Sequence, residues 1–170
     1  MNKYIQFSIL LLTGYLLGAS VFFTFIVAPS IFSHFDTRLA AEITNTIFPI
    51  YFASGWIIGL VIYTLVAVLS IKDKFIVKRL KWFIILVSVL IISFMALHKA
   101  VLPIGQTLNN QYYALIDKKK PKEAQKIKEK FSKVHIISSS LNLGNIMIEI
   151  FLFYSFFNYI YTRKEEKDSV

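Results

Sequence analysis

Four long apolar blocks alternate with short charged intervals along this chain. Taking about 17 or more consecutive, mostly apolar residues as one membrane span gives spans at about 4–32, 43–70, 82–102 and 134–160. Lipid offers no hydrogen-bond partners to a backbone, so each span must satisfy its own N–H and C=O groups and is predicted helical. The expected fold is therefore all-α: one integral membrane domain over residues 1–170, built as a four-helix transmembrane bundle. A cleaved leader is the competing reading of the first block, because Lys3 precedes it and Gly18-Ala19-Ser20 is a small-residue patch. The apolar run continues through Val21 to Val27, longer than a leader's core, and favours retention as a helix.

Helical periodicity does not stop at the third span. Ile104, Leu108, Tyr112 and Leu115 recur at helical spacing before Lys118-Lys119-Lys120-Pro121, and Ala124, Ile127, Phe131 and Val134 recur after it. Helices three and four are thus expected to continue out of the membrane as a helical hairpin over about 104–133, each arm about 18 Å long. A disordered lysine-rich loop is the plainer alternative.

The fourth span carries an internal inversion. His135, Ser138, Ser139, Asn142, Asn145 and Glu149 fall within roughly 120° of arc on a helical wheel. The same arc is apolar in the aqueous arm, at Ala124, Ile127 and Phe131. One face turned towards partner helices accounts for both halves, since that face is apolar in water and polar in lipid. Glu149 lies near the middle of its span, where a charge costs about 2.5–3.5 kcal/mol or more. It must be paired, neutral or beside water, with Asn145, Tyr15 and Ser20 as candidate partners. Interhelical polar cross-linking is the structural alternative to a proton, cation or small-solute pathway.

Gly14 and Gly18 in the first span, and Gly55 and Gly59 in the second, are Gly-xxx-Gly steps that permit close backbone approach and favour a tight helix pair. Pro29 and Pro49 flank the connection between those spans, at positions where a proline ends a helix or sits in its first turn. Alternating helix direction carries His34, His98 and His135 to one membrane side, and three imidazoles can bind zinc, copper or haem iron. Their depths differ, so the expectation is no metal and no cofactor, with a haem or metal redox protein as a less favoured alternative. No phosphate-binding loop, zinc-protease motif or serine-nucleophile elbow occurs, and the chain is expected not to be an enzyme.

Composition agrees with the span count: 56% of residues are hydrophobic, the mean hydropathy is +0.60 and there is no cysteine. The net charge of +9 lies between apolar blocks, which points to anionic lipid head groups rather than nucleic acid. KDKFIVKRLK at Lys72–Lys81, with Lys3 and Arg163-Lys164, places both termini in the cytoplasm by the positive-inside rule. The lysines between Pro103 and Lys133 pull the other way.

Phe131, His135, Ser138, Ser139 and Asn142-Leu143-Gly144 resemble the F-x-x-x-H-x-x-S-S-x-x-N-L-G signature of transmembrane protein 205-like proteins, and Ile47-Phe48-Pro49-Ile50-Tyr51-Phe52 is similar to that family's Leu-Phe-Pro-x-Tyr-Phe segment. The resemblance implies a four-span membrane protein. Bacterial members are mostly of unknown function; animal members are associated with tolerance of platinum drugs through export or vesicle traffic. Without cysteine, sulfur capture of platinum does not carry over to this chain.

The expected role is transport or tolerance of a small solute or cation through the inward stripe, in the inner membrane of a bacterium. Glu149 would titrate or coordinate, Asn142 and Asn145 would position it, and His135 would gate the mouth. The alternative is a structural or assembly subunit that docks a partner membrane protein, or a second copy, through the lysine-rich hairpin.

Overall fold

The computed structural model describes the backbone of residues 2–72 and 75–168, with side chains over residues 3–71 and 75–162. Asp73 and Lys74 of the basic segment, and the side chains of Lys72, Arg163 and Lys164, lie outside the described residues.

Four antiparallel rods form the bundle, all helical, with no strand among the described residues. The first joins α1 (Asn2–Phe22) to α2 (Ala28–His34) through a π-helical turn at Phe23–Val27. The second is α3 (Thr37–Lys72), followed by the short α4 (Phe75–Arg79). The third joins α5 (Lys81–Ala96) to α6 (Leu102–Asp117) through a second π-helical turn at Leu97–Val101. The fourth is α7 (Pro121–Asp168), 48 residues long. Each rod contains a stretch long and apolar enough to cross a membrane.

Proline explains both π-helical turns. Pro29 and Pro103 each stand at the start of the α-helix that follows a turn. A proline removes one N–H and pushes its ring against the carbonyl four residues back. Those carbonyls belong to Phe25 and Lys99, inside the two turns, and the wider π spacing makes room for the ring. Pro49 differs from its sequence expectation: it lies inside α3, which begins at Thr37 rather than near residue 43. The earlier start follows from a cap. The Asp36 carboxylate accepts the backbone N–H groups of Arg38 (3.0 Å) and Leu39 (3.1 Å), satisfying two otherwise orphaned donors.

The hairpin between the third and fourth rods is present, α6 packing along α7. It closes with Lys120 N–H donating to the Leu115 carbonyl (3.0 Å) and Lys119 N–H to the Ile116 carbonyl (2.9 Å), the Schellman pattern of a helix end. The hairpin does not stand alone. The Arg38 guanidinium donates twice to the Asp117 carboxylate, at 3.1 and 3.2 Å, and lies over the Tyr113 ring. Gln106 donates to the Asn45 carbonyl at 3.1 Å. The start of α3 therefore rises beside the hairpin to the level of its tip.

Side-chain contacts give the depth scale. The Phe83 and Phe156 rings meet at 5.2 Å, and a Cβ at Gly105 would lie 3.8 Å from Val134. In this register Lys81 stands opposite Asn158, Lys99 opposite Ser140, and Glu149 midway. The 18 residues between Lys81 and Lys99 rise about 27 Å, close to a hydrocarbon thickness of about 30 Å. Exposed Tyr4, Trp82 and Tyr161 gather at the Lys81 end, as interfacial aromatics do.

Candidate functional site

Ser20 of α1, Thr24 of the first π-helical turn, Tyr51 of α3, and Asn142, Asn145 and Glu149 of α7 meet inside the bundle. Ser20 donates to Glu149 Oε1 at 3.0 Å. The Tyr51 hydroxyl lies 3.0 Å from Ser20 Oγ and 2.9 Å from Asn142 Oδ1, and its single hydrogen can serve one of the two at a time. Asn142 Nδ2 donates to Thr24 Oγ1 at 2.7 Å. Three side chains from three rods, Ser20, Tyr51 and Asn142, thus link Glu149 to Thr24 by a continuous hydrogen-bonded row.

Glu149 and Asn145 are each 1% exposed, and Tyr51 is 5% exposed. Glu149 Oε2 and Asn145 Nδ2 have no hydrogen-bond partner. The register puts Glu149 about 13 Å from either lysine level, halfway along the apolar interval between them. Asn142 lies about two turns nearer the Lys99 level, where it and Thr24 are half-buried. Towards the Lys81 end the interior is apolar: Ile9, Leu16, Val87, Leu152, Phe83 and Phe156 are buried there. Thr13, also buried on that side, spends its hydroxyl on its own helix, donating to the Ile9 carbonyl at 2.9 Å.

The Tyr51 ring is held by Phe23, stacked at 5.1 Å, and by Phe94, edge-on at 6.0 Å. Beside the row, a groove of about 490 Å³ between α5 and α7 is lined by Ser93, Ser140, Gly144 and Asn145 among apolar neighbours. It brings the lipid side close to the buried amide of Asn145.

Half of the six-residue stripe converges. Asn142, Asn145 and Glu149 face the interior, Ser138 is half-buried, and His135 and Ser139 are exposed. His135 stacks on Phe131 at 6.1 Å. The upper part of α7 pairs with α6, whereas α2 leans on α3; the stripe loses its cover above Asn142. Of the partners expected for Glu149, Ser20 makes the bond and Tyr15 is 57% exposed.

The three histidines do not converge. His98 Nδ1 meets Trp56 Nε1 at 3.1 Å, and His34 Nδ1 lies 2.9 Å from both the Ser30 carbonyl and Ser33. Among the described residues no group of three His, Cys, Asp or Glu side chains could hold a metal.

Neither do the glycine steps meet each other. Cβ atoms at Gly55 and Gly59 would lie 2.5 Å from Phe94 and 2.7 Å from Ile91, so α3 uses its step against α5. Gly14 faces Phe153 of α7, and Gly18 has nothing within 4 Å. Outside the membrane, hydrogen bonding to Asp117, then that residue's charge, raises the Arg38 pKa above its ordinary value.

Fold and site together define a four-span α-helical membrane protein with a buried polar row at its centre. The family model for a domain of unknown function, DUF4149, matches residues 11–114, more than half of the chain, and the chain belongs to that family. The matched stretch contains Ser20, Thr24 and Tyr51 and ends before α7. Neither a curated protein nor a solved structure matches the chain.

Proposed function

We propose that this chain is a non-enzymatic membrane protein in which Glu149 binds and releases a proton or a small cation during transport, or tolerance, of a small solute. The observation that carries the reading is a buried carboxyl group, halfway between the Lys81 and Lys99 levels of a membrane-spanning helix, bonded through one oxygen to one neutral hydroxyl. Placing a charge there costs about 2.5–3.5 kcal/mol, whereas a hydrogen bond between membrane helices returns about 0.6 kcal/mol. A cross-link alone does not offset that cost, and a glutamine would make the same bond without it. One carboxyl among neutral hydroxyls and amides matches a single positive charge, a proton first.

The resemblance to transmembrane protein 205-like proteins spans Phe131 to Gly144 and stops short of Glu149, so the assignment of Glu149 rests on its position in the bundle. The basic residues around Lys72–Lys81 support an inner-membrane home with both termini cytoplasmic, and exposed Lys78, Lys81 and Lys99 suit anionic head groups.

Infrared spectroscopy of the protein in lipid tests this reading. The C=O band of a protonated carboxyl should appear and vanish as pH is cycled, and Glu149→Gln should remove the band while leaving the melting temperature close to wild type. A wild-type carboxyl that does not titrate would sink the proposal. If Glu149→Gln is silent and Asn142→Leu unfolds the bundle, the row is a structural cross-link.

A second reading, a subunit that docks an acidic partner, is favoured by the exposed tip lysines Lys118, Lys119, Lys120 and Lys122, which the Arg38–Asp117 pair holds in place. Changing those four to glutamine should then abolish complex formation and leave the carboxyl titration intact.

A further inference from the structure

We infer that Ser20 and Tyr51 form a one-sided proton relay that connects Glu149 to the hairpin side of the membrane, and that the Asn142 amide turns over as Glu149 gains or loses its proton. This rests on the proton-binding reading of Glu149 and adds a route and a switch to it.

Three contacts of 2.9–3.0 Å join Glu149 to Ser20, Ser20 to Tyr51, and Tyr51 to Asn142 Oδ1. Each needs one hydrogen. Ser20 and Tyr51 bring one apiece, and Asn142 Oδ1, an acceptor, brings none. The third hydrogen has to sit on Glu149, whose O–H then donates to Ser20, Ser20 to Tyr51, Tyr51 to Asn142 Oδ1, and Asn142 Nδ2 to Thr24. Each contact of the row then holds one hydrogen.

Turning the amide over reverses the row. Thr24 then donates to Asn142 Oδ1, Asn142 Nδ2 to Tyr51, Tyr51 to Ser20, and Ser20 to Glu149 Oε1. All contacts are again satisfied, now with Glu149 ionised. The two amide orientations therefore correspond to the two charge states of a carboxyl about 10 Å deeper in the membrane.

Passage between them balances. A proton from water at the Lys99 level arrives on the Tyr51 oxygen, the Tyr51 hydrogen moves to Ser20, and the Ser20 hydrogen moves to Glu149. One proton enters, one is bound, and no heavy-atom bond changes. Around the level of Glu149, α1 offers Ser20, α3 offers Tyr51, α5 offers the buried Leu90 and Phe94, and α7 offers Asn145. Tyr51 is the titratable one, and no charged side chain faces the carboxyl. Towards the Lys81 end, Leu16, Leu152 and Phe156 close the interior.

The test is hydrogen–deuterium exchange of the Glu149 carboxyl, followed by its infrared band in lipid vesicles of known protein orientation. Tyr51→Phe keeps the ring between Phe23 and Phe94 and removes the relay oxygen; Ser20→Ala removes the other. Each should slow exchange by about a hundredfold, the lower end of what a positioned proton-transfer group contributes, while the band itself and the melting temperature persist. A pH jump on the hairpin side should change the carboxyl band before the two sides equilibrate, and a jump on the other side should not. A titrating band that exchanges at the wild-type rate in both variants, or that answers equally fast to a jump on either side, overturns the relay. A band that never titrates overturns the proton-binding reading beneath it.

Discussion

Lys119 stands at φ 57°, a left-handed position that glycine fills more often at the end of a Schellman-closed helix. A Cβ in that conformation costs about 1–2 kcal/mol. Lys119→Gly should raise the unfolding free energy in detergent by about 1 kcal/mol, allowing for glycine's larger unfolded-state entropy; a loss of stability would mean that the lysine side chain compensates for its backbone. The turn itself was legible, since Pro121 and three lysines interrupt two helical patterns. Ser20 was legible as well, being one of few polar residues within reach of Glu149. Tyr51 was not. It sits in the Ile47–Phe52 segment among aromatics that read as packing, and a wheel of one helix carries no information on which residue of another lies at the same depth. The same missing register left Tyr15 and Ser20 equivalent as partners, until the structure placed one inside and one at the surface.

At the scale of elements, the four blocks and the hairpin follow from hydrophobic period and length, but their joints do not. A proline every so often in an apolar run looks like a helix end, and Pro29 and Pro103 instead leave each rod continuous by widening one turn. Those turns carry Thr24 and His98, so the irregular backbone lies where the polar side chains collect. The glycine steps were visible as motifs while their partners were not, because a small residue advertises close approach without naming what approaches. Gly55→Ala would place a methyl 2.5 Å from the Phe94 ring, which also buttresses Tyr51. Overpacking of that kind costs about 1–3 kcal/mol. Gly18→Ala meets open space and should stabilise α1 by about 0.5–1 kcal/mol through lower backbone entropy. Thermal unfolding of the two variants checks the contrast; equal effects would mean that Phe94 swings aside freely.

For the whole molecule, the consequence of the register is an asymmetric seat in the membrane. If the hydrocarbon runs from the Lys81 level to the Lys99 level, about 27 Å apart, then α6, the first turns of α7, α2 and the start of α3 stand together above the lipid as one extension, stitched by Arg38 to Asp117 and Gln106 to Asn45. Apolar residues exposed on that part, such as Ile104 and Ile116, then face the head groups or water, whereas Met147 and Phe157 face acyl chains. The chain has no cysteine, so single substitutions read depth without a background. Cysteines at Asn110 and Ile116 should react with a membrane-impermeant maleimide, and cysteines at Met147 and Phe157 should not. Applied to intact cells, the same reagent reports orientation: labelling at Asn110 but not at Lys78 places the hairpin outside and the termini in the cytoplasm. The opposite result would put Glu149's relay in contact with the cytoplasm. Reaction at Met147 as fast as at Ile116 would move the hydrocarbon off the Lys81 to Lys99 interval and remove Glu149 from the centre of the bilayer.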